Sequence, residues 1–442
     1  KAKRDGINLL VLPELTLTGY TCGDLFLQSA LLDGAQAALG KILLASRDSD
    51  TLIVLGLPVA AFGKLYNCAA VISDGTLLGL IPKKNLPNYS EFYEVRHFTP
   101  APDTNKTIKL FGQNVPFGSK LLFRCEELPD FCVAAEICED LWVPQPPSVL
   151  HTGAGATIIV NPSASDETIG KEDYRRELIA SQSARLLCGY VYADAGEGES
   201  TTDMVFSGHN LICENGIMLS ESKPFGQGWA VSEIDVRRLA GERRHMSTYA
   251  AGEDKDYIEV PFHAQVRDTD LTRRVDMHPF VPSNTAILAQ RADSILSMQT
   301  SGLKKRLMHT KAKSAVIAVS GGLDSTLALL ITVRAMDALE RPRPDVIAVT
   351  MPCFGTTART KGNAEVLCER LGVTLRTIDI TAAVRQHFSD IGHDEEKKDV
   401  VYENVQARER TQIIMDIANQ TGGFVIGTGD LSELALGWAT YN

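Results

Sequence analysis

The fold of the second half of the chain is indicated most clearly by the residues Ala315-Val316-Ile317-Ala318-Val319-Ser320-Gly321-Gly322-Leu323-Asp324-Ser325. This stretch begins as an apolar run of strand length and continues through two glycines into a helical pattern whose apolar face is Leu327, Leu330 and Ile331. Two glycines let the backbone turn sharply, and the helix N-terminus adds N–H groups and partial positive charge. The stretch therefore predicts a strand, an anion-binding loop and a helix.

The polar residues of this loop favour a nucleotide as the anion. Ser320 and Ser325 can donate hydroxyl hydrogen bonds to phosphate oxygens. A Walker A loop would end in Gly-Lys-Ser/Thr, but Leu323-Asp324 stands in the place of the lysine. An aspartate beside a polyphosphate is repelled unless a cation lies between them, so Asp324 is predicted to bind Mg²⁺. The alternative is an ordinary helix N-cap, which the same residue types would also provide.

Strands and helices alternate regularly around this loop. Further strands are predicted at Val346–Met351, Val373–Ile378 and Phe424–Thr428, which indicates a parallel, doubly wound sheet. The periodicity fades between about Ser247 and Asn284, in charged and Pro-containing sequence. We therefore predict a first domain over 1–262, a linker over 263–290 and a second domain over 291–442.

The first domain combines hairpins with helices. Asp74-Gly75 and Asn215-Gly216 lie between apolar runs and suit tight two-residue turns, so part of the sheet structure is antiparallel. Helical periodicity at Gln28–Ala45 and Tyr174–Leu187 completes the pattern of a layered α/β sandwich. The predicted strands are Ile7–Leu12, Thr51–Leu57, Cys68–Ile72, Thr76–Ile81, Phe131–Ile137, Ala156–Asn161, Gly189–Ala193 and Asn210–Ser220.

Composition excludes several classes of protein. The chain has 442 residues with 44 Lys plus Arg and 55 Asp plus Glu, and its net charge of −11 argues against a general nucleic-acid binder. The apolar runs are far shorter than the roughly 20 residues that a membrane helix needs. Nine cysteines without a C-x-x-C pair fit the reducing cytoplasm, and no targeting segment is recognised.

Three chemically useful side chains follow predicted strands of the first domain. Glu14, Lys83 and Cys138 each lie at a strand end, where a rigid sheet can bring distant residues together. Hydrolysis of an amide requires a thiolate nucleophile, a base and a cation for the oxyanion, and these residues supply those groups. Each also has a structural explanation, and the acidic neighbours Glu139 and Asp140 would raise the pKa of the Cys138 thiol.

The segments around these residues resemble the Glu-Lys-Cys triad of the nitrilase, or carbon-nitrogen hydrolase, superfamily. The position three before Leu86-Pro87 identifies the lysine as Lys83 rather than Lys84. The resemblance implies a nitrilase-like α-β-β-α sandwich with Glu14, Lys83 and Cys138 as catalytic residues.

Three longer stretches narrow this resemblance. Pro13–Tyr20, Pro87–Glu94 and Ala195–Asp203 resemble the glutaminase domain of glutamine-dependent NAD synthetases. The resemblance implies that glutamine is bound by Tyr89, Ser165 and Lys171.

The second domain resembles the same family. Ser320–Ser325 matches the loop of the ATP-pyrophosphatase superfamily, and Gly427–Trp438 resembles the corresponding stretch of NAD synthetases. Glu403–Thr411 resembles their substrate helix. The implied fold is a doubly wound sheet of the adenine nucleotide alpha hydrolase type, and Asp324 and Glu433 are the implied Mg²⁺ ligands. The residues implied to bind ATP are Ala318, Val319, Ser320, Gly321, Gly322, Leu323, Asp324, Ser325 and Thr428. Those implied to bind deamido-NAD are Asn404, Arg410, Glu433, Trp438, Thr440 and Tyr441.

The resemblance implies a cytoplasmic ligase, a glutamine-hydrolysing NAD synthase with glutamine, ATP and deamido-NAD as substrates. No nucleic acid or membrane is expected as a partner, and a homo-oligomer, an octamer in the family, is implied. Relative to the family we expect a strand before Lys1 and the sequence after Asn442 to be missing, leaving the second domain incomplete. Two alternatives stay open: a glutaminase joined to a different adenylating synthetase, and a nucleotide-binding regulatory protein with an inactive glutaminase.

Overall fold

The computed structural model describes residues 1–199, 203–226, 228–249, 252, 256–354 and 358–437, with side chains omitted for 358–361. The chain divides into two compact units, Lys1–Val275 and Asp276–Asn442. This division falls inside the stretch predicted as a linker, and the proposed limits of 1–262 and 291–442 remain a prediction. Among the described helices, none has both the length and the apolar character needed to cross a membrane.

The first unit contains two sheets. The first sheet has the strand order β1-β2-β3-β4-β6-β5 and includes the predicted Asp74-Gly75 hairpin, whose residues have φ of +43° and +75°. Its strands are β1 (Leu9–Val11), β2 (Leu52–Ala61), β3 (Lys64–Ser73), β4 (Thr76–Pro82), β5 (Lys106–Leu110) and β6 (Gln113–Phe117).

The second sheet has seven strands in the order β12-β11-β10-β9-β8-β7-β13. Parallel pairing of β8, β9 and β10 brings their carboxyl ends to the same edge. The strands are β7 (Leu121–Cys125), β8 (Cys132–Ala135), β9 (Ile158–Ser163), β10 (Gly189–Asp194), β11 (Leu211–Glu214), β12 (Ile217–Glu221) and β13 (Ile258–Phe262).

The core of the first unit lies between the two sheets. Val54 and Val71 of the first sheet pack in one cluster with Phe123, Val133 and Val160 of the second. Helices cover the outer faces, giving the α-β-β-α sandwich that the sequence predicts. The helices of this unit are α1 (Ser29–Ala45), α2 (Ser148–Gly153), α3 (Lys171–Leu186) and α4 (Val236–His245).

Four strands of the first unit, β5, β6, β7 and β13, were not predicted from the sequence. β5 and β13 are the last strands of their sheets and are largely exposed, so they lack the buried β-branched alternation that identifies β2 and β3. The turn between β5 and β6 is formed by Phe111 and Gly112, with positive φ at both residues but without an Asn-Gly or Asp-Gly signal.

The second unit is built on a four-stranded parallel sheet with the order β16-β15-β14-β17 and helix-packed clusters on both faces. This is the predicted doubly wound sheet. The chain reverses its direction of winding between β14 and β17, the place where such sheets bind ligands. The elements are α5 (Thr285–Thr310), β14 (Ala315–Ala318), α6 (Leu323–Asp337), β15 (Val346–Thr350), α7 (Ala358–Leu371), β16 (Thr374–Thr377), α8 (Thr381–Ile391), α9 (Val400–Thr421), β17 (Phe424–Ile426) and α10 (Leu431–Leu436).

Candidate active site

The carboxylate of Glu14 lies in the interior of the first unit against the ammonium group of Lys83. Lys83 Nζ is 2.7 Å from Glu14 Oε1, and both side chains are fully buried. Asn67 Nδ2 donates to the same oxygen at 2.6 Å, and the main-chain N–H of Ala164 donates to Oε2 at 2.9 Å. These contacts hold the carboxylate at the carboxyl ends of the strands, where the sequence places it.

Glu94 is a second buried carboxylate at this centre and is not among the site residues predicted from the sequence. Its Oε1 lies 2.5 Å from Lys83 Nζ and accepts a hydrogen bond from Tyr20 Oη at 2.7 Å. Glu94 lies in the short 3-10 helix Glu94–Arg96, where no strand or helix periodicity marks it. The available signal was its place at the end of the stretch Pro87–Glu94, which carries the family resemblance. Lys83 is therefore held between two carboxylates.

Cys138 begins the 3-10 helix Cys138–Leu141, which follows β8. Its φ of +43° lies in the left-handed region. A residue other than glycine in this region indicates strain that the surrounding contacts must maintain. The main-chain N–H of Cys138 donates to Asn161 Oδ1 at 2.9 Å. The thiol is buried and interacts electrostatically with Glu14 and Lys83.

Burial sets the protonation of this centre. It raises the pKa of Glu14 to about 7, with Lys83 opposing the shift and Glu94 adding to it. Burial also raises the pKa of the Cys138 thiol, as does Glu14, while Lys83 lowers it. For Lys83 burial favours the neutral amine, but Glu14 and Glu94 outweigh it and raise its pKa well above the usual value. The geometry therefore combines a protonated thiol, a permanent cation and a carboxylate that can exchange a proton near neutral pH.

The main chain of Glu14 rests directly on β2 at Gly56. The Gly56 N–H donates to Pro13 O at 3.2 Å, and Leu17 N donates to Gly56 O at 3.2 Å. A Cβ atom at Gly56 would lie 2.1 Å from the nitrogen of Leu15 and 2.8 Å from the Cα atom of Glu14. Only glycine leaves room for this approach.

Tyr89, predicted to bind glutamine, contacts Glu139, the residue that follows Cys138 in the chain. The Tyr89 hydroxyl donates to both carboxylate oxygens of Glu139, at 3.0 and 3.1 Å. Its ring packs edge-on against Phe92 at 5.9 Å, and more than half of its surface is exposed. Burial and the Glu139 charge raise the pKa of Tyr89 to about 12, so it remains a hydrogen-bond donor.

Lys171 lies at the start of α3, after Gly170 with φ of +85°. Its Nζ forms an ion pair with Asp166 and lies over the rings of Phe92 and Trp142, at 5.8 and 5.5 Å from their centroids. Lys171 and Tyr89 therefore share the ring of Phe92. The structure brings these two predicted glutamine-binding residues to the same region.

Ser165, the third predicted glutamine-binding residue, is buried. Its main-chain N–H donates to Asp194 Oδ1 at 2.9 Å, and its hydroxyl accepts a hydrogen bond of 3.5 Å from Arg175 Nη2. Arg175 is itself fully buried and pairs with Glu167 at 2.9 Å. The Ser165 hydroxyl thus contacts an interior cation in this structure.

The predicted nucleotide loop of the second unit connects β14 to α6. Gly321 has φ of +81°, and the hydroxyls of Ser320 and Ser325 are 3.2 Å apart. Ser320 Oγ accepts from the N–H of Gly322, and Ser325 Oγ accepts from the N–H of Ser320. The loop is therefore closed by its own hydroxyls at the N-terminus of a fifteen-residue helix, with Asp324 exposed in the first turn.

Thr428 and Glu433 follow the strand next to this loop. β14 and β17 pair in parallel with Ile317 opposite Ile426, so the loop and Thr428 follow the carboxyl ends of adjacent strands. Glu433 forms a capping box with Asp430 at the start of α10: its Oε2 accepts from Asp430 N at 3.2 Å. Exposed carboxylates at a sheet switch point are oxygen donors of the kind that Mg²⁺ prefers, so Asp324 and Glu433 fit the predicted ion.

The predicted deamido-NAD residues are only partly described. Asn404 and Arg410 are half-buried on α9. Trp438, Thr440 and Tyr441 lie outside the described residues, as do residues 200–202 of the stretch Ala195–Asp203.

A separate group of possible metal ligands, Glu172, His209 and Glu221, occurs among the described residues of the first unit. Arg176 forms ion pairs with both glutamates, and His209 Nε2 is 2.7 Å from Glu221 Oε1. Because an arginine already occupies the space between the carboxylates, this group is a salt-bridge network.

Comparison with protein families gives two matches. Residues 1–243, more than half of the chain, match the carbon-nitrogen hydrolase family. The chain belongs to this family. Residues 295–442 match the NAD synthase family. The two parts occur in the order predicted from the sequence, and the fold class predicted for each is confirmed.

The relatives of the chain include glutamine-dependent NAD(+) synthetases. A glutamine-dependent NAD(+) synthetase of Mycobacterium tuberculosis is 45% identical over 99% of this chain, and one of Mycobacterium leprae is 44% identical. The chain spans 66% of the length of each of these relatives. A solved glutamine-dependent NAD(+) synthetase from Cytophaga hutchinsonii is 24% identical, with a TM-score of 0.47 over 99% of this chain and 71% of that chain. The resemblance to glutamine-dependent NAD synthetases is confirmed.

Proposed function

We propose that the chain acts in glutamine-hydrolysing NAD(+) synthesis. The first unit would release ammonia from glutamine at Cys138. The second would adenylate the carboxylate of deamido-NAD with ATP, and ammonia would displace AMP to give NAD. The observation that supports this most strongly is the buried set of Glu14, Lys83 and Cys138 in one chain with the β14–α6 loop.

The first chemical step joins Cys138 to the substrate. Glu14 takes the thiol proton as sulfur attacks the amide carbon of glutamine, and the carbonyl electrons move to oxygen. Lys83 donates to this oxyanion. The N–H of Cys138 is engaged by Asn161. The main-chain donor to the oxyanion would therefore be the following amide, that of Glu139.

Glu14 then returns the proton to the leaving nitrogen. The C–N bond breaks, ammonia departs, and a thioester remains on Cys138. Glu14 next takes a proton from water as water attacks the thioester, and the sulfur leaves to regain the proton with release of glutamate. Glu94 stays on the opposite side of Lys83 and keeps it protonated throughout both steps.

Charged groups near Cys138 suit the amino-acid end of glutamine. Glu139, with Tyr89 donating to it, offers a carboxylate for the α-ammonium group, and Lys171 offers a cation for the α-carboxylate. The rings of Phe92 and Trp142 flank Lys171 and limit its motion. Selection for glutamine would come from this pair of opposite charges.

In the second unit the loop residues hold ATP. The free N–H groups at the start of α6 and the hydroxyls of Ser320 and Ser325 would bind its phosphates, and Thr428 lies beside them. Asp324 and Glu433 would hold Mg²⁺, which supplies positive charge beside the pyrophosphate leaving group. Of the residues proposed to bind deamido-NAD, Asn404 and Arg410 of α9 and Glu433 of α10 are described.

One assay tests both halves. The chain is incubated with glutamine, Mg-ATP and deamido-NAD while glutamate, AMP and NAD are followed together. We expect all three in equal amounts, with AMP formation dependent on deamido-NAD. With ammonium chloride in place of glutamine, the Cys138→Ala variant should still form AMP and NAD. Glutamate without AMP would contradict the synthetase half, and AMP without glutamate would contradict the glutaminase half.

Two properties of the protein remain proposals. We propose the cytoplasm as its compartment, supported by nine cysteines without a C-x-x-C pair. We also propose a homo-oligomer, with the octamer that the family resemblance implies, and light scattering of the purified chain would test it.

A further inference from the structure

The side-chain amide of Asn161 fixes the main chain at Cys138. Its Oδ1 accepts two hydrogen bonds, from Cys138 N at 2.9 Å and from Ser163 Oγ at 2.7 Å. Asn161 is on β9, whereas Cys138 follows the adjacent strand β8. If the amide were reversed, Asn161 Nδ2 would face the N–H of Cys138, and two donors cannot form a hydrogen bond. The orientation of the Asn161 amide therefore determines whether the left-handed turn at Cys138 is held.

Tyr190 determines this orientation. Asn161 Nδ2 donates to Tyr190 Oη at 3.1 Å, and Tyr190 Oη donates to Glu136 Oε1 at 2.5 Å. A tyrosine hydroxyl has one proton. Because this proton is donated to Glu136, Tyr190 Oη can only accept a hydrogen bond from Asn161 Nδ2. Asn161 Oδ1 then faces the N–H of Cys138.

Glu136 is anchored at its other oxygen. Oε2 accepts from Ser148 N at the start of α2 at 2.7 Å, and Ser148 Oγ accepts from Gln182 Nε2 at 2.9 Å. Glu136, Tyr190 and Asn161 are all buried. None is a reacting group in the proposed mechanism, so a buried carboxylate here requires another explanation.

We propose that Glu136, Tyr190 and Asn161 form a positioning relay that holds the strained turn at Cys138 and thereby directs its thiol toward the substrate. The relay residues act through Cys138 and touch no substrate. Its effect on catalysis rests on the proposed glutaminase function, whereas its effect on the Cys138 turn is independent of that function.

The relay is tested with Tyr190→Phe, which removes one hydroxyl. Tyr66→Phe is the matched control, because Tyr66 is also buried but lies in the first sheet. The first measurement is hydrogen exchange at the Cys138 amide. We expect Tyr190→Phe to speed exchange by roughly fivefold to tenfold, the loss expected for one buried hydrogen bond, and Tyr66→Phe to leave it unchanged. Equal exchange in the wild type and Tyr190→Phe would overturn the relay.

Kinetics then separate positioning from general destabilisation. With glutamine as substrate, Tyr190→Phe should lower kcat by roughly fivefold to tenfold and leave KM unchanged. Glu136→Gln should speed exchange less, and adding it to Tyr190→Phe should produce no further change, since the two residues act in series. Additive effects on exchange would contradict the relay. Faster exchange in Tyr190→Phe, with a wild type that does not hydrolyse glutamine, would refute the proposed function and leave the relay standing.

Discussion

The centre at Cys138 and the loop at Ser320 differ in how deeply their charged side chains are buried. In the first unit, Glu14 and Lys83 are fully buried and already paired with each other. In the second, Asp324 is exposed and the loop is closed by its own hydroxyls. Nucleophilic attack benefits from a dry site whose groups are oriented in advance, whereas a polyphosphate brings its own charge and counter-ion. In the proposed mechanism, the charged groups of the first site are therefore already paired before substrate binds, whereas the second site depends on the charges of its ligands.

The largest effect expected from this contrast is that of Cys138→Ala. Loss of the covalent nucleophile should lower glutamine hydrolysis on the order of 10⁶-fold, while AMP formation with ammonium chloride and deamido-NAD is unchanged. Glutamate and AMP release report the two reactions. Cys22→Ala, at a half-buried position whose thiol donates to the carbonyl oxygen of Thr18, is the control and should retain both reactions. Parallel loss of both reactions in Cys138→Ala would refute separate sites.

Lys83→Met tests whether the buried pair is also structural. It leaves Glu14 and Glu94 buried without their cation, which should cost roughly 3–5 kcal/mol of stability and abolish glutamine hydrolysis. Urea unfolding provides the measurement. Lys84→Met is a matched control, since Lys84 is the exposed neighbour of Lys83. A similar stability for the two variants would show that the ion pairs in this structure do not hold the centre together.

For Asp324→Asn, unlike Lys83→Met, we expect a loss of activity without a loss of stability. Removing this exposed carboxylate should change stability by no more than about 0.5 kcal/mol. AMP formation should nevertheless fall by roughly 10²-fold, because an electrostatic stabiliser of the leaving group is weakened. Asp337→Asn, which removes an exposed carboxylate farther along α6, serves as the control and should keep full activity. Unchanged AMP formation in Asp324→Asn would remove the assignment of Asp324 to the ion.

A smaller effect is expected in the pH dependence of glutamine hydrolysis, which depends on the buried carboxyl group of Glu14. The base must be ionised to accept the thiol proton, and burial raises the pKa of Glu14 to about 7. We therefore expect kcat/KM to rise roughly tenfold per pH unit below that value and to level off above it. Initial rates between pH 5.5 and 8.5 measure this. A flat profile across neutral pH would exclude Glu14 as the group that titrates.

The smallest expected effect concerns Asp194. Burial raises its pKa to about 7 against the opposing charge of Arg175, so between about pH 4 and 7 the folded chain holds a proton that the unfolded chain releases. Its contribution to stability therefore falls as pH rises through this window. Relative to wild type, the Tm of Asp194→Asn should improve as pH rises from 5 to 8, by roughly 2–4 °C for each kcal/mol of stability that the wild type loses. A constant Tm difference would contradict the raised pKa.

The sequence predicted the parts of the molecule that are encoded locally. β2 to β4 are recognised from β-branched runs and the Asp74-Gly75 turn, and the β14–α6 loop from two glycines after an apolar strand. The triad was assigned through strand ends and family resemblance. In the structure Lys83 is buried against Glu14, and Lys84 is exposed.

Residues joined only by tertiary packing could not be predicted in this way. Glu94 lies in an irregular segment, and its proximity to Lys83 and Tyr20 depends on how two loops pack. Glu136 is a carboxylate inside an apolar stretch, with no local sign of its hydrogen bond to Tyr190 on another strand. Both depend on pairs distant in sequence, for which neither periodicity nor turn chemistry gives a signal.

The close approach of Glu14 to Gly56 limits how this chain can change over evolutionary time. A methyl group at position 56 would overlap the main chain that carries the base, so it must push Glu14 out of reach of Lys83 or open the sheet. A random screen for inactive glutaminase should therefore recover substitutions at a residue that carries no functional group and lies on a different strand. Gly56 supplies no functional group to the proposed reaction, yet the position of Glu14 depends on it.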